Sequence, residues 1–301
     1  MKPWVRRRGT LLGVMAVAAL LAGCGSSGSG QTPTVSLSRA ADVSSAEAGY
    51  RTTMTLNETV PGAGAIAMTG NGSFSPAAHS GALTMQLKLP ASAGLGNVQL
   101  HVVLNKTAIY IKLPPQLAGK IPGGKPWLYV NLDQIGQAAG IPGIGSLLSS
   151  GSSLSDPGRY LTFLRASTQG SIKNLGEVTV NGIRTTHYQA EIDLSKLPSA
   201  VPAADRQAVQ QLVTALERKG AVHQFPIQAW IDSSHLIRRI QMAFTEPLST
   251  GQSVAVALTE NFLNYGQQPL PAIPSPSQSV NVLSLAHSSG SSSGTSSGAA
   301  G

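Results

Sequence analysis

The chain has 301 residues, 42% of them hydrophobic, 11% charged and 5% aromatic, an apolar share that excludes wholesale disorder. A single Cys excludes an internal disulfide and a Cys-cluster metal site, and no apolar run reaches the ~20 residues of a membrane-spanning helix, which excludes a polytopic membrane protein. The formal charge of +8 falls to +4 once Lys2, Arg6, Arg7 and Arg8 are set aside as a leader, leaving 17 of 21 cations against 13 carboxylates, a solubility charge and no nucleic-acid footprint.

Residues 1–23 read as a signal peptide: a basic start, an apolar stretch from Leu11 to Ala22, then small residues. Leu21-Ala22-Gly23-Cys24 resembles the bacterial lipobox, in which the Cys thiol takes a diacylglycerol and the leader is cut just before it. Two or three acyl chains at ~0.8 kcal/mol per buried methylene anchor a protein durably. The expectation is a chain held at the outer face of the cytoplasmic membrane through acylated Cys24. Residues 24–34 follow as a Gly/Ser tether, 35–285 as one folded domain, and 286–301 as a disordered Ser/Gly tail.

Period-two alternation dominates the domain. Met54 and Leu56 alternate with polar neighbours, as do Met85 and Leu87, Leu100 and Val102, Ile109 and Ile111, and Ile240, Met242 and Phe244. Similar runs cover 227–231 and 254–258. So many short alternating segments predict antiparallel strands with one buried face. Turn signals stand at Pro61-Gly62, Asn71-Gly72, Pro122-Gly123-Gly124, Asn181-Gly182 and Asp232-Ser233-Ser234. One helix is predicted from Pro202 to Gly220, with Val209, Leu212, Val213 and Leu216 on its apolar face. Shorter helices are expected near Asp156-Pro157 and over Ala40–Ala48, and the segment from Ile135 to Ser150 reads as a Gly-rich apolar loop.

Roughly ten strands at ~4.8 Å give a sheet about 48 Å wide. Three helices of ~10 Å diameter cover about 30 Å of it. The predicted fold class is α+β: a strongly curved antiparallel half-barrel with a few helices on its concave face. A partly covered apolar wall is a natural pocket for an apolar ligand, and the same residues also suit a fully packed core. The cavity candidates are Met54, Leu56, Met85, Leu87, Leu100, Val102, Ile109, Ile240, Met242 and Phe244.

Further patterns follow in order: Ala108-Ile109-Tyr110, Pro126-Trp127-Leu128-Tyr129-Val130 with Asp133, Gly176 to Gly182, His187-Tyr188, Ala229-Trp230-Ile231-Asp232, Arg238-Arg239-Ile240, and Asn264-Tyr265-Gly266 before a Pro-rich stretch. Together with the lipobox, this order resembles the actinobacterial LppX/LprG-type lipoproteins, which share the LolA/LolB fold. The resemblance implies a half-barrel enclosing an apolar cavity for acylated lipid or glycolipid, a carrier or chaperone role, and no enzymatic activity. It implies a lipid or glycolipid ligand and no cofactor, and names no protein partner. An envelope sensor of the same fold is the alternative.

Catalytic patterns are weak. Two formal G-x-S-x-G matches, Gly290 to Gly294 and Gly294 to Gly298, lie in the Ser/Gly tail without the strand-to-helix elbow the motif needs. The six His have no metal-ligand spacing. Glu191 and Asp193 share a strand face, which reads as solvated sheet. Of Arg238 and Arg239, alternation allows only one to face a cavity.

Overall fold

The computed structural model describes residues 32–138, 157, 167, 171–218, 223–247 and 252–285, apart from positions 63, 91–93, 95, 107, 120, 202 and 204. The signal peptide, Cys24, most of the tether, most of the Gly-rich loop, the body of the helix expected near Asp156 and the tail fall outside the described residues.

Helix α1 spans Pro33–Ser45. Pro33 fits the first turn, where its fixed φ and missing N–H cost nothing. Leu37, Ala40 and Ser44 form one stripe at i, i+3 and i+7 and are buried. The helix expected over Ala40–Ala48 therefore starts and ends earlier, because that stripe and the proline set its register.

Twelve strands form one unclosed, curved sheet. They are β1 Tyr50–Val60, β2 Gly64–Ser75, β3 Ser80–Lys88, β4 Asn97–Asn105, β5 Ala108–Lys112, β6 Trp127–Asn131, β7 Lys173–Val180, β8 Ile183–Asp193, β9 Gln224–Asp232, β10 Ile237–Pro247, β11 Ser253–Leu263 and β12 Ser279–Asn281. Their order is β12-β6-β5-β4-β3-β2-β1-β11-β10-β9-β8-β7. Among the described strands, only β12 runs parallel to its neighbour, β6. Short helices α2 Pro115–Ala118 and α3 Leu132–Ala138 flank β6, and α4 Leu197–Ala200 and α5 Arg206–Arg218 lie between β8 and β9. The helix predicted from Pro202 thus begins at Arg206.

Asn71-Gly72 is not a turn. Both residues sit inside β2, with Gly72 opposite Thr52 on β1 and Leu83 on β3. Gly72 serves close backbone approach: a Cβ there would lie 2.0 Å from the Ala82 carbonyl oxygen. Gly81 has a related role, since Phe74 on the neighbouring strand lies across it. Asn181-Gly182 does form the β7–β8 hairpin turn, with φ of 50° and 81°, the left-handed pair a two-residue loop requires.

The main core lies where α1 meets the sheet. Tyr50 and Phe262 are almost wholly buried and meet edge-on at 5.3 Å, and Phe74 approaches Tyr50 at 5.8 Å. Leu37 and Ala40 join Ile227, Ile231, Ile237 and Ile240 in the same cluster. A second cluster seats α5: Val209 and Val213 pack with Leu194, flanked by Leu197, Val201 and Phe225.

The β9–β10 turn is organised by Asp232. Its Oδ1 accepts from the backbone N–H of Ser234 at 2.8 Å and of Leu236 at 2.9 Å. Its Oδ2 accepts from Arg238 Nε at 2.7 Å and Nη2 at 2.6 Å. The Arg238 guanidinium also lies over the Tyr265 ring at 5.3 Å, and the Tyr265 hydroxyl donates to the Ile237 carbonyl at 2.6 Å. Burial pushes the Tyr265 hydroxyl well above the usual phenol range, so it stays a neutral donor.

Candidate functional site

Directly paired residues of antiparallel strands project to the same face. One row reads Ala229, Ile240, Glu260, Met54, Gly70, Met85, Leu100 from β9 to β4. The next reads Met242, Leu258, Leu56, Met68, Leu87, Val98. Phe244 pairs with Val256, Val102 with Leu83 and Ile111, and Ile109 with Leu104 and Val130. Every cavity candidate therefore shares one apolar face, as strand alternation predicts.

Their surroundings differ. Ile240 is 1% exposed and sits in the packed core with α1. Met54, Met85, Val102 and Met242 are half-buried against that core. Leu56, Leu87, Leu100 and Ile109 are half-buried along the rest of the wall, and Phe244 meets Phe225 at 6.0 Å. Ile240 belongs to the packed core, and the other nine lie at its margin or beyond it along the same face. Ile111, Leu128 and Val130 carry the same face onto β5 and β6 and are also half-buried.

Sequence reasoning missed one group on this wall. Glu260 is only 9% exposed and accepts from Thr52 Oγ1 at 2.9 Å. It stands in the row of Ile240 and Met54, where the packed end gives way to the half-exposed wall. A carboxylate there is costly to bury and is held by hydrogen bonding. The signal was legible in principle: Glu260 falls on the apolar beat of the alternation set by Val254, Val256 and Leu258.

Neither Arg238 nor Arg239 belongs to the apolar wall. A register shift between Ile237 and Arg239 places Arg239 opposite Trp230 and Asn261, on the far face. It stacks over Trp230 at 5.6 Å and donates to Asn261 Oδ1 at 2.7 Å. His187 stacks on Trp230 at 4.2 Å and 9°. Trp230, 7% exposed, is therefore packed on the outer face. Trp127 lies on that same face beneath Lys112 Nζ, 5.8 Å away.

Glu191 and Asp193 do not form an acid–base pair. Asp193 accepts from the Ser195 backbone N–H at 3.0 Å and hydroxyl at 2.6 Å, with Lys196 Nζ at 3.7 Å. The Ser195 hydroxyl, ahead of the backbone N–H and Lys196, holds the Asp193 carboxyl below its ordinary range. It caps the turn after β8. Among the described residues no group of three or more His, Cys, Asp or Glu side chains is placed to hold a metal ion, and no helix is long and apolar enough to cross a membrane.

No family model matches the chain. A curated relative, an uncharacterized 31.2 kDa protein in the rplA-rplJ intergenic region of Streptomyces griseus, is 26% identical over 157 residues, 51% of this chain and 48% of the relative. The chain spans about half the length of that relative. Similar solved structures include LprF from Mycobacterium bovis, 15% identical, covering 81% of this chain and 96% of that one at a TM-score of 0.42. The lipoprotein LppX from Mycobacterium tuberculosis is 13% identical, covering 80% and 98% at a TM-score of 0.43. A LolA superfamily protein from Nitrosomonas europaea is 8% identical, covering 80% and 96% at a TM-score of 0.25.

Proposed function

We propose that the chain is a membrane-anchored lipoprotein of the LppX/LprG type that holds the acyl chains of a lipid or glycolipid against the apolar face of its sheet. Anchoring is through acylated Cys24 at the extracytoplasmic face of the cell membrane. The role is that of a lipid carrier or chaperone in the cell envelope, without covalent chemistry. The observation that carries this reading is the shared face: nine of the ten candidates are half-buried side chains along one largely apolar wall, and α1 packs against one end of it. Acyl chains leaving water for such a wall gain ~0.8 kcal/mol per methylene. Met54, Met85 and Met242 along it adapt to chains of different shape.

The test is lipid retention. Non-acylated protein purified from a lipid-containing host is expected to carry lipid detectable by native mass spectrometry. Leu100→Glu and Met242→Glu each place a charge on the wall and should lower retention by on the order of tenfold. Retention at the unaltered level in both variants would remove the wall from the binding site.

A second reading is supported by the edge strand β7. Leu175 and Val178 on it are 48% and 43% exposed, and among the described residues no strand pairs with its outer edge. Such an edge can accept a strand from another protein. A stoichiometric protein captured from membranes, with no lipid on the purified chain, would favour an envelope sensor over a carrier.

A further inference from the structure

Strand β11 ends at Leu263, and the stretch from Gln268 to Pro276 leads toward β12. Its sequence is QPLPAIPSP, in which eight of nine positions are a proline or the residue before one. Proline fixes its own φ and drives its predecessor to extended backbone, so the segment is a polyproline II helix with three residues per turn. Ser275, at φ −72° and ψ 158°, has that geometry. Burial repeats with the same period: Gln268 and Pro271 are half-buried and Pro274 is buried, which makes one edge of the helix face the domain. Leu270 and Ile273 share an outward edge, 61% and 42% exposed, and stand one turn or about 9 Å apart. Both ends are tied down. The Gly266 N–H donates to the Gly49 carbonyl at 2.9 Å, and Gln268 Nε2 donates to the Asn264 carbonyl at 2.9 Å. At the far end Lys125 Nζ donates to the carbonyls of Pro276 at 3.2 Å and Ser279 at 2.9 Å, where β12 joins β6. Gln268 and Pro269 lie beside Arg51, Ser73 and Thr84, on the face opposite the apolar wall.

We propose that this ridge docks into an aromatic-lined groove of a partner protein. The ridge sets the chemistry. Its four prolines have no N–H, and among the described residues no backbone hydrogen bond ends on the carbonyls of residues 269–274. The outward surface is therefore two apolar side chains with carbonyl acceptors between them. Flat rings cover Leu270, Ile273 and Ala272, while an indole N–H or phenol O–H reaches the carbonyls. Because both ends are fixed, the ridge already has its bound shape and loses little entropy on docking. A sheet edge is the poorer partner, since missing N–H groups cannot continue a ladder. A lipid surface is poorer too. Residues 261–285 carry no charged side chain to attract anionic headgroups, and sinking the ridge into hydrocarbon strips water from its carbonyls with no donor in return. The ridge is distinct from the apolar wall and from the β7 edge, and its role does not depend on lipid binding.

The experiment replaces exposed Ala272 with the photo-cross-linking residue p-benzoylphenylalanine in the full chain, in intact cells of the organism that makes it, and sequences the cross-linked peptides. The expected result is one dominant adduct, to a protein segment that carries two or more Trp, Tyr or Phe residues. Leu270→Ser with Ile273→Ser should lower that adduct by on the order of tenfold or more, because both apolar anchors are lost. Both side chains are exposed, so the melting temperature of this double variant should stay unchanged. Leu270→Ile with Ile273→Leu, which keeps the apolar edge, should retain the adduct. A parallel arm sediments the non-acylated chain with vesicles of phosphatidylcholine and phosphatidylglycerol. The proposal is overturned by adducts to lipid alone, by vesicle binding that the serine variant abolishes, by an adduct to a segment without aromatic residues, by the absence of any adduct, or by an adduct undiminished in the serine variant.

Discussion

Replacing Asp232 with Ala is expected to cost about 3–5 kcal/mol of folding stability, the range for breaking a buried ion pair from one side. Four hydrogen bonds end on this carboxylate, and the side chains of Asp232 and Arg238 are only 6% and 15% exposed. Its removal orphans the Ser234 and Leu236 amides and leaves the Arg238 guanidinium with the Tyr265 face as its remaining contact. Asp232→Asn keeps an acceptor for both amides and loses the charge, so its loss should be smaller. Urea unfolding followed by tryptophan fluorescence reads both, because Trp230 lies two residues away on β9. A shift of less than about 1 kcal/mol in Asp232→Ala, the level of an exposed pair, would show that the turn does not depend on this carboxylate.

The other large effect is expected at Gly72. Gly72→Val places a Cβ 2.0 Å from the Ala82 carbonyl oxygen and 2.9 Å from the Leu83 Cα, both backbone atoms that cannot rotate away. The β2–β3 pairing must part, in the middle of the sheet, and the variant is expected to lose more than ~3 kcal/mol or to remain unfolded at 37 °C, the behaviour of overpacking and lost pairing combined. Gly176→Ala is the matched control. It sits at φ 95° with nothing within 4 Å of its Cβ, so only backbone strain of about 1–3 kcal/mol applies. Circular dichroism melts separate the two. Equal losses would mean that conformation, and not close approach, explains Gly72.

Gly72 also shows where reading the sequence stops. Alternation located β1, β3, β4, β5, β10 and the shared face of the candidate wall, because a half-buried strand imposes period two on its side chains. Strand β2 broke that rule. Its sequence GAIAMTGNGSFS gives the apolar beat to Gly70 and Gly72, over which Met54 folds and the β3 backbone closes, so the pattern looks like a turn. Glu260 occupies an apolar beat for the opposite reason, a polar group held inside by Thr52. Strand β12 is only Ser279-Val280-Asn281, too short to show a period; its pairing with β6 is purely tertiary.

The sheet order has a consequence for how the chain matures. Among the described strands, β1 to β6 form one continuous run and β7 to β11 another, and the two runs join where β1 pairs with β11, about two hundred residues apart. Until Leu263 has been synthesised, β1 has a bare flank, and the apolar face beside it is open to water. Assembly therefore waits on nearly the whole polypeptide, a high contact order that makes it slow and leaves the first half with an unpaired apolar edge until β11 arrives.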